Sequence, residues 1–411
     1  MNQNEDEKET KPLETSTIEQ SSFGIDIGSS FSKIAIRQID KPQPFVVENR
    51  EGKRSIPSAI FFPHGVDIND HPASNIDHDS YIVGSSASSS RYLKPEKTYS
   101  PSSSSLGLIE KSFIYYLLAK ELKSSAQSKS DRAEKLPSFV SVPNYFSVVQ
   151  SSLVVSACRD AGFNCVAALP DAVSAVLGSI ETGIYFPPYL KESTKHESVL
   201  VIDVGGSIVQ ISALLVKNVP DFIPIVLSQK VLFDNGGIHF DKAIVDHLTE
   251  EFEKQNQGIF IASDKMARQR LYDAAEAAKI ELSTVSSSKV LIPFITADQY
   301  GPKHLDCNIS KATLSVLLGT LLTDINVSVE SVIHDARQQL LCTKTKEVGI
   351  EGEERMNMDL AAIMIVGGGA RMPLIKAGIE SLAGTVPILI GSQPEEIVSI
   401  GAATFARIIR K

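Results

Sequence analysis

The feature that most constrains the fold is a strand–turn–strand segment at Ser198–Val216. Its first half, Val199–Val204, is a nearly unbroken apolar run, which is typical of a strand buried on both faces of a sheet. Asp203 interrupts the run just before the Gly205-Gly206 turn. Adjacent glycines leave backbone N–H groups open to an anion, so one interpretation is a phosphate loop with Asp203 holding hydrated Mg2+. The alternative is an ordinary hairpin with an Asp-led turn, and this segment taken alone favours the hairpin.

A second copy of this plan stands near the start of the chain. Phe23–Ile36 reads as a strand, then Asp26 and Gly28 with small hydroxyl residues, then another strand. A repeated supersecondary unit indicates a duplicated architecture. Each half would then contribute one phosphate-binding hairpin to a shared cleft.

A third glycine-rich turn lies near the end of the chain. The apolar strand Ala361–Val366 runs into Gly367–Gly369, followed by Arg371 and a helix that opens at Pro373. A helix N-terminus presents free N–H groups to anions, and proline is favoured at the first helical position. The succession of strand, glycines and helix therefore favours nucleotide binding.

These three segments, in this order, resemble the nucleotide-binding domain of the Hsp70 chaperones, and the resemblance covers nearly the whole chain from about Phe23. Further segments that carry it are Glu48–Pro57, Val142–Phe146, Asp160–Phe163, Asn235–Asp241, Ala278–Ser283 and Pro394–Ala403. Pro293–Asp298 and Gly301–His304 look most like the bacterial and organellar branch of the family. The resemblance implies an α/β, actin-like fold with two lobes around a nucleotide cleft.

The same resemblance divides the chain into a first lobe at 21–197, a second lobe at 198–392 and a C-terminal helix at 393–411 that packs back on the first lobe. Residues 1–20 are polar and acidic, which is typical of a disordered tail. The segment from Gly84 to Val142 is too short for the β-rich insertion of Hsp70 proteins, so we expect a reduced upper subdomain in the first lobe. Neither an interdomain linker nor a substrate-binding domain follows, so peptide clamping by that route is not expected.

Helical periodicity predicts the connecting elements. The predicted helices are Leu106–Lys123, Ser147–Ala161, Asp171–Thr182, Phe240–Phe252, Ser263–Leu282, Ser310–Leu341 and Glu395–Ile409. Ser310 is a candidate N-cap for its helix, and Ser124–Lys135 is expected to be a polar linker.

The resemblance also assigns a site for ATP or ADP with Mg2+. Asp26 and Asp203 would organise the metal ion. The phosphates would lie against the backbones of Gly28, Ser29, Ser30, Gly205, Gly206 and Ser207. The adenosine would face Gly367, Gly368, Gly369 and Arg371, and Lys279 and Ser283 would reach the ribose or the base edge.

Several positions depart from the Hsp70 pattern. Ser88 stands where the family has a lysine on the γ-phosphate, and Leu169 stands where it has a glutamate near the attacking water. Because charge stabilisation and water positioning supply most of the catalysis of phosphoryl transfer, hydrolysis is expected to be weak or absent. The other departures are Ser207 for a glycine, Ile208 for a threonine, Gln210 for a cation-binding aspartate, Ile238 for a glutamate and Ile280 for an arginine that stacks on adenine.

These expectations favour an Hsp70-like pseudo-ATPase that binds nucleotide and acts as a chaperone partner or regulator. The expected partner is a protein, either an active Hsp70 or one of its co-chaperones. One alternative is a weakly active Hsp70-type ATPase that assists folding, with its lysine supplied by Lys94 or Lys97. A small-molecule kinase would need an aspartate at a substrate hydroxyl, for which the sequence offers no clear candidate. The fourth possibility is a structural protein with an empty cleft.

Composition narrows the partners and the compartment. A formal net charge of -9 gives no reason to expect nucleic-acid binding, and no apolar run approaches the ~20 residues of a membrane span. The cysteines are Cys158, Cys165, Cys307 and Cys342, which form no CxxC pair and are typical of free thiols in a reducing compartment. The acidic N-terminus opposes a transit peptide, so we expect a cytoplasmic location. The organellar resemblance leaves a mitochondrial or other organelle matrix as the alternative.

Overall fold

The computed structural model describes residues 21–64, 80–130, 133–185, 196–217, 222–256, 259–261, 263–342 and 360–409, so the tail predicted at 1–20 lies outside the described residues. The strands are β1 (Ser22–Ile27), β2 (Phe31–Arg37), β3 (Phe45–Val46), β4 (Ile56–Pro57), β5 (Ile60–Phe61), β6 (Ile82–Val83), β7 (Thr98–Tyr99), β8 (Pro137–Val142), β9 (Asn164–Pro170), β10 (His196–Val204), β11 (Val209–Lys217), β12 (Ile225–Leu232), β13 (Ser287–Asp298), β14 (Gly301–Ser310), β15 (Leu360–Val366) and β16 (Ile388–Leu389). The helices are α1 (Ser85–Ser88), α2 (Leu108–Gln127), α3 (Val148–Asp160), α4 (Asp171–Glu181), α5 (Gly237–Gln255), α6 (Lys265–Glu281), α7 (Lys311–Leu317), α8 (Gly319–Cys342), α9 (Pro373–Ala383) and α10 (Ile397–Ile408).

Two sheets with the same strand order form the centre of the molecule. The order is β3-β2-β1-β8-β9 in the first sheet, with β4 beside β2, and β12-β11-β10-β15-β16 in the second. In each sheet an antiparallel hairpin supplies the first two strands, and two further strands add in parallel beside it. This repeated topology confirms the duplicated α/β architecture predicted from the two hairpin segments.

Helices cover both faces of each sheet. α2 and α3 pack on one face of the first sheet, and α5, α6, α8 and α9 pack on one face of the second. α4 and α10 lie between the two sheets, where Phe139, Val201, Met364 and Phe405 belong to one apolar cluster. The two lobes therefore share a central helical layer, and α10 packs against β1, β2 and β8 of the first lobe.

α4 and α10 cross with their backbones in direct contact. A Cβ atom added at Gly178 of α4 would overlap the carbonyl oxygen of Ile397. A Cβ atom added at Gly401 of α10 would overlap the carbonyl oxygen of Ser174. Close-packed interiors leave no room for such an atom, so this crossing requires glycine on both helices.

Two small units flank the sheets. β6-β5-β7 form a three-stranded sheet in the first lobe, and β13-β14 form a two-stranded ribbon in the second. Between Gly84 and β8 the described residues form α1, a 3-10 turn at Pro95–Lys97, β7 and α2. This short segment is the reduced upper subdomain expected of the first lobe.

Two predicted boundaries were wrong. The single helix predicted over Ser310–Leu341 is divided into α7 and α8, which meet at 66° because Leu318 is fully buried and Gly319 is a weak helix former. Ser310 is nevertheless the N-cap, and its hydroxyl accepts from the Thr313 N–H at 3.0 Å. α2 runs into the segment predicted as a linker, because Ala126 packs in the core.

No single helix in the described ranges is long and apolar enough to cross a membrane. α7 and α8 reach that length and composition as a bent pair.

Candidate functional site

A cleft of about 1630 Å³ lies between the lobes, at the carboxyl ends of β1 and β10. The turns of the two hairpins meet in it, where the Ser207 N–H donates to Ser29 Oγ at 3.2 Å. Gly206 packs so closely on Ser30 that an added Cβ would overlap the serine hydroxyl. Ligands of open α/β sheets bind outside the carboxyl ends of the strands. The fold thus places the two predicted phosphate loops side by side where a ligand is expected.

Three aspartates line the cleft beside these loops. Asp26 lies at the end of β1, Asp203 lies at the end of β10, and Asp171 begins α4. Burial raises the pKa of each carboxyl, that of Asp203 to about 7, and the negative charge of Asp26 adds to the rise at Asp171 and Asp203. Lys33 acts in the opposite direction on the pKa values of Asp26 and Asp203. A cation bound here would relieve the repulsion and favour the ionised carboxylates.

The donor set suits a hydrated Mg2+ ion that is shared with phosphates. Among the described residues, no group of three or more His, Cys, Asp or Glu side chains could hold a metal ion by itself. Mg2+ commonly binds through one or two carboxylates, several waters and substrate phosphates. The carboxylate oxygens of Asp26 and Asp203 fit this mode. An ion held there would supply positive charge to offset the negative charge of the phosphates.

Every nucleotide contact predicted from the sequence lines this cleft. The lining includes Asp26, Gly28, Ser29, Ser30, Asp203, Gly205, Gly206, Ser207, Lys279, Ser283, Gly367, Gly368, Gly369 and Arg371. The fold therefore gathers residues from three distant parts of the chain, while their roles as ligands stay predictions.

The third glycine turn supports Asp203 and leaves space beside it. Gly367 has a φ of 82°, which only glycine adopts without strain, and an added Cβ would come 2.5 Å from Asp203 Oδ1. Gly368 differs, because a Cβ at this position would meet no atom within 4 Å. Since Gly368 lines the cleft, a side chain added there would occupy ligand space without disturbing the protein.

Two of the predicted nucleotide side chains already have protein partners. Lys279 of α6 forms an ion pair with Asp241 of α5 at 2.6 Å and donates to the Gly237 carbonyl at 3.2 Å. Burial raises the pKa of Asp241 to about 6, although Lys279 opposes that rise. Arg371 pairs with Glu395 at 2.7 Å. A contact from either cation to adenosine would have to be shared with these carboxylates.

Two positions that depart from the Hsp70 pattern make structural contacts. Leu169 is buried in the apolar cluster with α4 and α10, and it is not part of the cleft lining. The Gln210 side chain bridges the lobes, since its Oε1 accepts from the Asn144 N–H at 3.0 Å and its Nε2 donates to Asp171 Oδ2 at 3.0 Å. Ser88 does line the cleft, but its side chain is uncharged.

Neither lysine proposed as a substitute for the one missing at Ser88 lines the cleft. Lys94 lies over the Phe61 ring, with Nζ 5.6 Å from the ring centroid. Lys97 Nζ donates to the Pro63 carbonyl at 2.9 Å. The structure therefore does not place Lys94 or Lys97 where either could replace the lysine that is missing at Ser88.

Three features of the site were missed in the sequence. Lys33 of β2 reaches the cleft, with Nζ 4.0 Å from Asp26 Oδ2. Asp171 lines the cleft, whereas the sequence marks it only as the first residue of a predicted helix. Tyr92 of the first lobe stacks on Tyr272 of α6, with ring centroids 3.9 Å apart and planes 9° from parallel. Of these three features, only the position of Lys33 had a signal in the sequence, because pairing within the first hairpin sets Lys33 opposite Asp26.

Two lobes of matched topology around a cleft with paired hairpin turns define the actin-like class of ATPase folds. A model of the family described as Hsp70 protein matches residues 114–411, well over half of the chain. The chain belongs to the Hsp70 family. Members of this family are associated with chaperone function, bind ATP or ADP with Mg2+, and work with protein partners. The matched range begins after the first hairpin, so that hairpin is supported by its own residues and by its pairing with β8.

Proposed function

We propose that this protein binds Mg-ATP or Mg-ADP, hydrolyses ATP slowly or not at all, and acts as a chaperone partner or regulator. Its partner would be a protein, either an active Hsp70 or one of its co-chaperones. One observation carries the proposal: both predicted phosphate hairpins line the cleft, whereas the position expected to hold a water-orienting glutamate is the buried Leu169, and the position expected to hold a cation-binding aspartate is the lobe-bridging Gln210.

The chemistry of these two side chains opposes catalysis. A hydrocarbon side chain cannot orient water or accept a proton, so Leu169 supplies neither function of the expected glutamate. Gln210 is 5% exposed, and both ends of its amide are engaged in hydrogen bonds between the lobes. In phosphoryl transfer, positioning and electrostatic stabilisation are almost the whole of catalysis. A bound nucleotide would therefore act here mainly as a ligand that stabilises one arrangement of the lobes.

A weakly active ATPase is the second candidate, and Asp171 favours it. This carboxyl lines the cleft, where it could orient a water molecule. Burial and the neighbouring aspartates raise the pKa of Asp171 well above its ordinary value, and the Gln210 amide occupies one of its oxygens. A carboxyl with one oxygen already engaged by the Gln210 amide is poorly placed to accept a proton from water, so this candidate ranks second.

Nucleotide binding is tested by calorimetry on the whole chain with a matched pair of variants. Gly368→Val adds a side chain in the cleft and should abolish Mg-ATP binding. Gly319→Val adds the same atoms at the start of α8, where a Cβ meets no atom within 4 Å, and should bind as the parent does. If the parent gives no heat and no thermal shift with millimolar Mg-ATP, the proposal fails in favour of an empty cleft.

Hydrolysis and partner binding are tested separately. Single-turnover hydrolysis by the parent should be slower than that of an active Hsp70 by roughly 100-fold or more, since one lost stabilising group already costs that much. A rate equal to that of an active Hsp70 would favour the second candidate. Pull-downs with the parent and Gly368→Val, with and without Mg-ATP, should recover an Hsp70 or a co-chaperone in a nucleotide-dependent manner with the parent alone.

A further inference from the structure

Lys33 has an unusual place for a lysine. It lies on β2 directly opposite Asp26 in the antiparallel pairing with β1, so the two side chains stand on the same face of the sheet. That face opens into the cleft, which Lys33 lines. Its side chain is 9% exposed. A strand lysine is most often solvated, whereas this one is drawn inside, next to the first phosphate hairpin.

The contact with Asp26 leaves capacity on the ammonium group. The distance from Lys33 Nζ to Asp26 Oδ2 is 4.0 Å, well beyond the 2.7–2.9 Å of a charge-assisted hydrogen bond. Two other cations that line the cleft are held more tightly, Lys279 by Asp241 at 2.6 Å and Arg371 by Glu395 at 2.7 Å. An ammonium group has three donors, and a buried charge is costly unless it is paired and hydrogen-bonded. The geometry is that of a cation with room for an anionic ligand.

The hairpin geometry indicates which anion this would be. The turn at Gly28–Ser30 joins β1 to β2, so phosphates against its N–H groups would lie between the strand ends that carry Asp26 and Lys33. Phosphates bring several negative charges to a cleft already lined by Asp171 and Asp203. Countercharge is needed there, and lysine supplies a point charge on a flexible stem.

We propose that Lys33 binds the polyphosphate chain of the nucleotide and supplies the positive charge that Ser88 lacks. The inference rests on the proposed nucleotide-binding function, and it adds to that function a residue that nothing in the Hsp70 resemblance assigns. Lys33 would thus have the phosphate-binding role for which the sequence offered Lys94 and Lys97 as candidates.

The test compares the binding of Mg-ATP, Mg-ADP and adenosine by calorimetry in the parent, Lys33→Met, Lys33→Arg and Lys123→Met. Lys123 is a matched control, because it is also a buried lysine of the first lobe, donates to the Gly162 carbonyl at 2.7 Å and lies outside the cleft lining. Lys33→Met should weaken both Mg-nucleotides by about tenfold to a hundredfold, the range for hydrogen bonds to charged groups, while adenosine changes little. Lys33→Arg should retain part of the affinity, and Lys123→Met should match the parent.

Two results would overturn the proposal. One is Mg-ATP affinity in Lys33→Met within about twofold of the parent; the other is an equal loss for adenosine, which would make Lys33 a structural partner of Asp26. A parent that binds no nucleotide would refute the proposed function itself, which is a different outcome.

A second measurement needs no variant. Reductive methylation of Lys33 in the parent, followed by mass spectrometry, should be slowed by Mg-ATP and not by adenosine. Equal labelling rates with the two ligands would contradict a contact with the phosphates.

Discussion

The stack between Tyr92 and Tyr272 should govern how fast a nucleotide leaves the cleft. Tyr92 follows α1 in the first lobe, Tyr272 lies on α6 in the second, and both line the cleft. Their rings are nearly parallel at 3.9 Å, and the Tyr92 N–H donates to Gln269 Oε1 at 3.1 Å. These contacts join the lobes through residues that take no part in the α4–α10 crossing. Tyr272→Ala removes the stack and leaves the backbone hydrogen bond to Gln269.

The expected size of the effect comes from the geometry of the stack. An aromatic pair contributes about 0.5–1.5 kcal/mol beyond its buried area, and about 1.4 kcal/mol is a factor of ten in a rate. If the pair must separate before the nucleotide leaves, Tyr272→Ala should raise the dissociation rate of Mg-ADP by about twofold to twelvefold. Tyr92→Ala should have the same effect, and the double variant should add little, because both substitutions remove one interaction.

The assay is stopped-flow displacement of a fluorescent ADP analogue from the whole chain. Tyr272→Phe is the control, since it keeps the ring and should release the analogue at the parent rate. A dissociation rate for Tyr272→Ala equal to that of the parent, or additive effects in the double variant, would refute the reasoning.

Two further substitutions test the packing between the lobes. Gly401→Ala should lower the free energy of unfolding by about 3 kcal/mol, because overpacking at a backbone contact forces α4 and α10 apart. Gly319→Ala, where the added Cβ meets open space, is the control, and equal urea midpoints for the two variants would contradict this expectation. Glu396 pairs with the half-exposed Arg54, yet burial raises the pKa of its carboxyl, so Glu396→Gln should be neutral or stabilising at about pH 8. A raised native pKa means that protonation favours folding, so the advantage of the variant should shrink by about pH 5, and an advantage that grows toward acid pH would be inconsistent with this sign.

The fold was predictable because its strongest signals are local. The segments at Phe23–Ile36 and Ser198–Val216 each contain two strands, a turn and an aspartate. Their duplication could therefore be recognised in the sequence without knowledge of tertiary contacts. The break between α7 and α8 could not be predicted from the sequence. Both sides of Leu318 keep helical periodicity, and the bend depends on the burial of that leucine.

The candidate site was predictable as a set of backbone positions, and less so as a set of side chains. The glycine turns gather as expected, since backbone geometry follows from local sequence. Lys279 illustrates the limit, because its partner Asp241 belongs to another helix, and their ion pair depends on how α5 packs on α6. The Tyr92–Tyr272 stack likewise joins residues that are distant in the chain, so no local sequence pattern predicts it.

The glycine crossing of α4 and α10 has a mechanical consequence. Where backbone touches backbone, no side-chain rotamers lie between the two helices, so a small rotation at this point would require no repacking of side chains. The crossing can therefore serve as a pivot between the sheets, in the manner of a shear motion of closely packed helices. Resistance to opening would then come from contacts across the cleft, namely the Tyr92–Tyr272 stack and the Tyr92–Gln269 hydrogen bond. Substitutions that tune the opening rate should map to these contacts, whereas substitutions at the pivot should lower the free energy of unfolding.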